Sequence, residues 1–130
     1  MKPGGVVAIA GAGLTREIDD SVPEHLREWW EAPHWCLHSA DWWRRHWQRS
    51  GILDVQLADA MPEGWELWLD WQRAVSPDNA PEIAALGADA GRWPTHVRAV
   101  GRRTGLALED PIVTVPSGYT QRPLLRDHTA

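Results

Sequence analysis

His34, Cys36 and His38 alternate along one short stretch of the chain. In an extended segment, side chains at a spacing of two point to one side, and imidazole and thiolate donors gathered there could hold a borderline metal ion. No fourth ligand stands close by, so the triplet is a weak signature and no metal is expected. His38 suggests a second chemistry. It lies just ahead of Ser39 and Asp41, either of which can cap a following helix, and an imidazole held in such a loop can take a proton near neutral pH. The plainer alternative is a histidine that hydrogen-bonds the loop backbone. Cys36 is the only cysteine, so no internal disulfide can form.

The other unusual feature is aromatic: ten tryptophans and no phenylalanine. An indole is large and carries an N–H that needs a partner when buried, so this density fits a broad aromatic-walled pocket or a surface that meets another segment. Trp as ordinary core filling is the competing reading.

These residues must be positioned by a small α/β unit. Val6-Val7-Ala8-Ile9-Ala10 is a continuous apolar run, which suits a strand buried on both faces of a largely parallel sheet, with Gly11-Ala12-Gly13 as the turn leaving it. The pattern predicts a short helix over Val22 to Trp30, interrupted before Pro33, and a second helix from Ala40 to Arg49 closed by Ser50-Gly51. In that helix Trp43, His46 and Trp47 share a face, and His46 reads as a packed core residue. Ile52 to Ala58 alternates as a half-exposed strand. Glu63 to Val75 is amphipathic, with Trp65, Trp68, Leu69 and Gln72 on one side, and a short helix follows from Pro81 to about Ala88. Thr95 to Arg102 is a third strand. Residues 104–130, rich in Pro and Gly, read as a tail wrapping the surface.

The composition, 43% hydrophobic and 24% charged with a net charge of −5, is that of a soluble globular domain. Arg44, Arg45 and Arg49 are diluted by nearby acids, so no nucleic-acid footprint is expected. The apolar runs are too short for a membrane span or a secretory signal, which predicts a cytoplasmic protein without membrane contact.

Several stretches together resemble a widespread bacterial group of class I, Rossmann-like S-adenosylmethionine-dependent methyltransferases. They are Lys2-Pro3-Gly4-Gly5 before the first strand, Gly13-Leu14-Thr15-Arg16-Glu17, Val22-Pro23-Glu24-His25-Leu26, and His38-Ser39-Ala40-Asp41-Trp42-Trp43-Arg44-Arg45-His46-Trp47. Gly51 with Asp54-Val55, Val100-Gly101-Arg102-Arg103, and Tyr119-Thr120-Gln121-Arg122-Pro123-Leu124-Leu125-Arg126 extend the likeness over nearly the whole chain. The resemblance is to the C-terminal half of such an enzyme. It implies three strands in the spatial order first, third, second, with the last antiparallel, and four or so helices over residues 1–103. It also implies that Trp-rich helices over 22–49 and 63–88 form a lid on a small-molecule acceptor, with Trp35, His38, Trp42, Trp65 and Trp68 as pocket residues and His38 as the preferred base or orienting group. Aromatic walls suit a planar, lipidic or cationic acceptor.

The donor, S-adenosylmethionine by this resemblance, would need a Gly-rich turn after a first strand and an acidic residue after a second. Neither is found here: Gly11-Ala12-Gly13 has Arg16 where a third glycine would stand, so no cofactor-binding residue is assigned. Three functions remain open: the acceptor-binding and lid half of a methyltransferase, an interaction module that pairs with an N-terminal half or with itself through the Val6–Ala10 edge, and a truncated gene remnant.

Overall fold

The computed structural model describes residues 1–107. Strand β1 (Val6–Leu14) leads through two short 3-10 segments, Glu24–Leu26 and Ala32–Cys36, to helix α1 (Ala40–Arg49). Then follow strand β2 (Leu53–Ala60), helices α2 (Gly64–Val75) and α3 (Ala80–Asp89), and strand β3 (Pro94–Arg103). The three strands form one sheet in the order β1-β3-β2, and β3 runs antiparallel to both neighbours. The order and the reversed last strand agree with expectation; β1 and β2 are thereby parallel to each other, with their C-terminal ends at the same side of the sheet.

Local chemistry sets the element ends. The Ser39 hydroxyl accepts the Trp42 amide 3.2 Å away and caps α1, and Gly51, at φ +69°, reverses the chain after Ser50. In β3 the residues alternate: Thr95, Val97, Ala99 and Gly101 are buried, whereas His96, Arg98 and Val100 are half-buried. Helix α1 covers the buried face. A Cβ on Gly101 would sit 3.1 Å from the Trp47 ring, so this glycine lets the indole lie on the sheet. Helices α2 and α3 pack with the 3-10 segments beyond the C-terminal end of β1, around Leu26, Trp29 and Ala85.

Four expectations are corrected. The helix over Val22 to Trp30 is a single 3-10 turn, Glu24–Leu26, followed by turns. Pro23 and Pro33 leave too few residues between them for a stable helix, and burial of Leu26 and Trp29 decides the path instead. Gly11-Ala12-Gly13 is part of β1 rather than a turn leaving it. A Cβ on Gly13 would meet the His38 carbonyl and a Val97 methyl, each at 2.7 Å, so glycine here allows close approach within the sheet. Strand β1 is not buried on both faces: Val6, Ala8, Ala10 and Ala12 are exposed, and Val7 and Ile9 are half-buried. The alternation in β2 breaks at Gln56, because Val55 pairs with Gly101 and Leu57 with the adjacent Val100, which puts them on opposite faces.

Thr104 is tied to the main body by its amide to the Ile52 carbonyl at 2.9 Å and by its hydroxyl to the Gly51 carbonyl at 2.8 Å. The rest of the expected tail from 108 onward, Tyr119 to Arg126 included, lies outside the described residues.

Candidate functional site

The parallel strands β1 and β2 end on either side of β3, Leu14 opposite Pro94 and Ala60 opposite Val97. Beyond those ends, where ligands of open α/β sheets bind, lies a cleft of about 410 Å³ walled by Thr15, Arg16, Glu17, Ser39, Asp41 and Arg45. Glu17 lines it with both carboxyl oxygens engaged. One carboxyl oxygen accepts the Ser39 amide at 2.7 Å, and the other lies 3.2 Å from His38 Nδ1. Burial works against the charged form of Glu17, but the hydrogen bonds from His38 and Ser39 outweigh it and hold the carboxyl below its usual range.

An ionised carboxylate only accepts, so His38 Nδ1 carries the proton toward Glu17 and the lone pair is left at Nε2. Nε2 makes no hydrogen bond among the described residues. The buried His38 ring stacks on Trp42 with centroids 3.9 Å apart and planes within 9°, and Trp42 stacks in turn on His46 at 4.7 Å and 12°. Helical spacing produces this ladder, since Trp42 and His46 are one turn apart on α1 and His38 lies one turn before them. Burial, followed by the charges of His38 and Arg49, lowers the His46 pKa and favours a neutral imidazole in the stack. His46 is thus stacked on Trp42 but only half-buried, outside the core in which it was expected.

The second aromatic group is separate. Trp29, Trp30, Trp35 and Trp68 meet edge to face: Trp30 lies 5.9 Å from Trp29 and 5.3 Å from Trp35, and Trp29 lies 6.0 Å from Trp68. Trp68 donates its N–H to Glu82 at 2.8 Å and leans on His96. With Leu67, Trp71 and Ala12, Trp68 and His96 wall an apolar cleft of about 450 Å³ on the open sheet face. The five pocket residues expected from the sequence are therefore divided. His38 and Trp42 do not line the polar cleft and reach it only through Glu17 and Ser39, which do; Trp35 and Trp68 belong to the aromatic cluster, and Trp65 lies against Gly91, where a Cβ would meet its ring.

Two buried indole N–H groups, those of Trp30 and Trp42, have no acceptor among the described residues. Such groups call for an explanation, and a bound ligand is one. The extended geometry that would align His34, Cys36 and His38 is absent: residues 32–36 form a 3-10 helix, His34 Nδ1 accepts the Glu31 amide at 2.8 Å, and Cys36 is exposed. Among the described residues no group of three His, Cys, Asp or Glu side chains could hold a metal ion. No helix among them is long and apolar enough to cross a membrane.

Sequence reasoning did not single out Glu17 as a site residue. Its position three residues after the end of β1 was the available signal. It also passed over Asp89, which is fully buried and holds His25 Nε2 and the Trp93 amide, each at 2.7 Å. Comparison of the chain with profiles of protein families, with curated proteins and with solved structures finds no match.

Proposed function

We propose that this chain is the acceptor-binding and lid half of an S-adenosylmethionine-dependent methyltransferase, with His38 as the base that Glu17 orients. The observation that carries this reading is the Glu17–His38–Trp42 arrangement at the C-terminal ends of β1 and β2. Support also comes from the strand order, since a last strand returning antiparallel between two parallel ones is what the methyltransferase resemblance implies.

In this role His38 Nε2 would take the proton of an acceptor hydroxyl or amine and leave that oxygen or nitrogen free to act as a nucleophile. Glu17 fixes the tautomer and favours the imidazolium that forms, the same division of labour as a base oriented by a third group. Among the described residues no glycine-rich turn joins a strand to a helix, so none of them is assigned to the donor.

The test is methyl transfer from labelled S-adenosylmethionine to a panel of hydroxyl- and amine-bearing aromatic and lipidic acceptors. The protein assayed carries a donor-binding methyltransferase half fused ahead of Val6. Turnover that falls about 100-fold or more in His38→Gln, with donor binding unchanged, supports the reading. Turnover unaffected by His38→Gln, or a folded fusion with no transfer to any acceptor, overturns it.

A further inference from the structure

The two edges of the sheet are built differently. Strand β2 carries Asp54 and Asp59 and a bulge at Gln56, and Asp59 is clamped by Arg98 through two hydrogen bonds, at 2.5 and 2.9 Å. Charges and bulges of this kind keep an edge from pairing with another chain. Strand β1 has none of them. Over Val6–Leu14 there is no charge, no proline and no register shift; the outer edge is bridged at Leu14, whose amide donates to the His38 carbonyl at 3.1 Å, and from Val6 to Ala12 it has no strand beside it among the described residues. The outward amides and carbonyls from Val6 to Ala12 face a choice between water and a partner strand.

We infer that β1 pairs antiparallel with β1 of a second copy, about a two-fold axis through Ile9, to give one continuous six-stranded sheet. Side-chain size selects this register. A two-fold at Ile9 sets Val6 opposite Ala12, Val7 opposite Gly11 and Ala8 opposite Ala10, so each valine meets a small residue, and Ile9 packs against its own copy on the axis. Charge permits it as well: the chain carries a net −5, but none of that charge lies on β1, so two copies do not repel where they meet.

The exposed apolar side chains flank the same seam. Ala12 floors the cleft walled by Leu67, Trp68 and Trp71, and Trp71 is 60% exposed. In the dimer Val6 of the second copy, 54% exposed in the single chain, arrives beside that cleft and covers part of it. An isologous contact of this kind closes on itself, so it yields a dimer and not a fibre. The inference concerns the chain by itself, since a donor-binding half paired to the same β1 edge would compete with the second copy.

The test is sedimentation equilibrium of the 130-residue chain from low to hundreds of micromolar. The expected result is a mass of about twice the 14.6 kDa of one chain, reaching a plateau. Ala8→Lys with Ala10→Lys puts like charges directly opposite each other twice across the seam, at positions exposed in the single chain, and is expected to raise the dimer dissociation constant about tenfold or more. A monomer throughout the range overturns the inference, as do growth without a plateau and a dimer that the double variant leaves intact. Should the variant lose its folded circular-dichroism spectrum, amide exchange of the native chain decides. Protection of Val6–Ala12 that rises with concentration supports the β1 seam, and protection that does not change with concentration contradicts it.

Discussion

The two ends of β1 are made of similar residues and live in different surroundings. At Gly13 and Leu14 the strand is enclosed: both are buried, a Cβ on Gly13 would meet the His38 carbonyl, the Leu14 amide donates to that same carbonyl, and Ile18 just beyond is buried as well. From Val6 to Ala12 the same strand is exposed or half-exposed and open along its edge. The difference teaches that the chain spends its packing at the end where the Glu17–His38 pair must be held. The other end keeps the character of an interface.

Substitutions at the enclosed end should therefore cost most. Asp89 is fully buried and ties His25 to α3 and the start of β3. Asp89→Ala leaves those donors without an acceptor and is expected to destabilise the fold by about 3 kcal/mol, read as a lower urea midpoint. A loss below about 1 kcal/mol would mean that this end is less tightly built than the contacts indicate.

Within β1 itself a pair of alanine substitutions sharpens the contrast. Gly13→Ala forces a methyl against a backbone carbonyl that cannot swing away, and should cost about 2 kcal/mol. At Gly11 a Cβ meets nothing within 4 Å, so Gly11→Ala is expected to be neutral or to stabilise by about 0.5 kcal/mol. Equal effects at the two positions would erase the distinction between the ends.

Acid should act on the enclosed end in two windows. His46 has a folded pKa below its ordinary 6.5, so the unfolded chain binds that proton more readily and stability falls as pH drops below about 6.5. Glu17 has a folded pKa below its ordinary 4.5, so its contribution, present at neutral pH, is lost as pH falls below about 4.5 toward the folded value. In urea titrations over pH, Glu17→Gln should flatten the lower window and leave the upper one. A variant that changes neither window, or only the upper one, contradicts the assigned hydrogen bonds.

The smallest effect belongs to the open face. Trp71→Ala removes a mostly exposed indole and should change stability by no more than about 0.5 kcal/mol in the monomer. A larger loss would show that the apolar cleft is part of the core.

The sheet and α1 were legible because their signals are local. Alternation in Thr95 to Arg102, a Ser39 cap and a Ser50-Gly51 stop act within a few residues, and the helix bounds Ala40–Arg49 follow from them. The segment between β1 and α1 was not, because Pro23 and Pro33 exclude a long helix but do not say what replaces it. That path is decided by Leu26 and Trp29 burying against α3, far along the chain. The same holds at the site. His38 could be singled out by its place before a cap, whereas its partner Glu17 is 21 positions away and becomes visible only when Leu14 bridges to Ser39. Five pocket residues chosen by their place in Trp-rich stretches fall into separate groups, since density along the chain carries no information about which indoles face each other.

The most direct test of the proposed division of labour is calorimetric titration of S-adenosylmethionine into the 130-residue chain and into the same chain fused to a donor-binding half. The account predicts no saturable binding to the chain alone and a micromolar dissociation constant, about −8 kcal/mol, for the fusion. Micromolar binding by the chain alone, or none by a folded fusion, would contradict it.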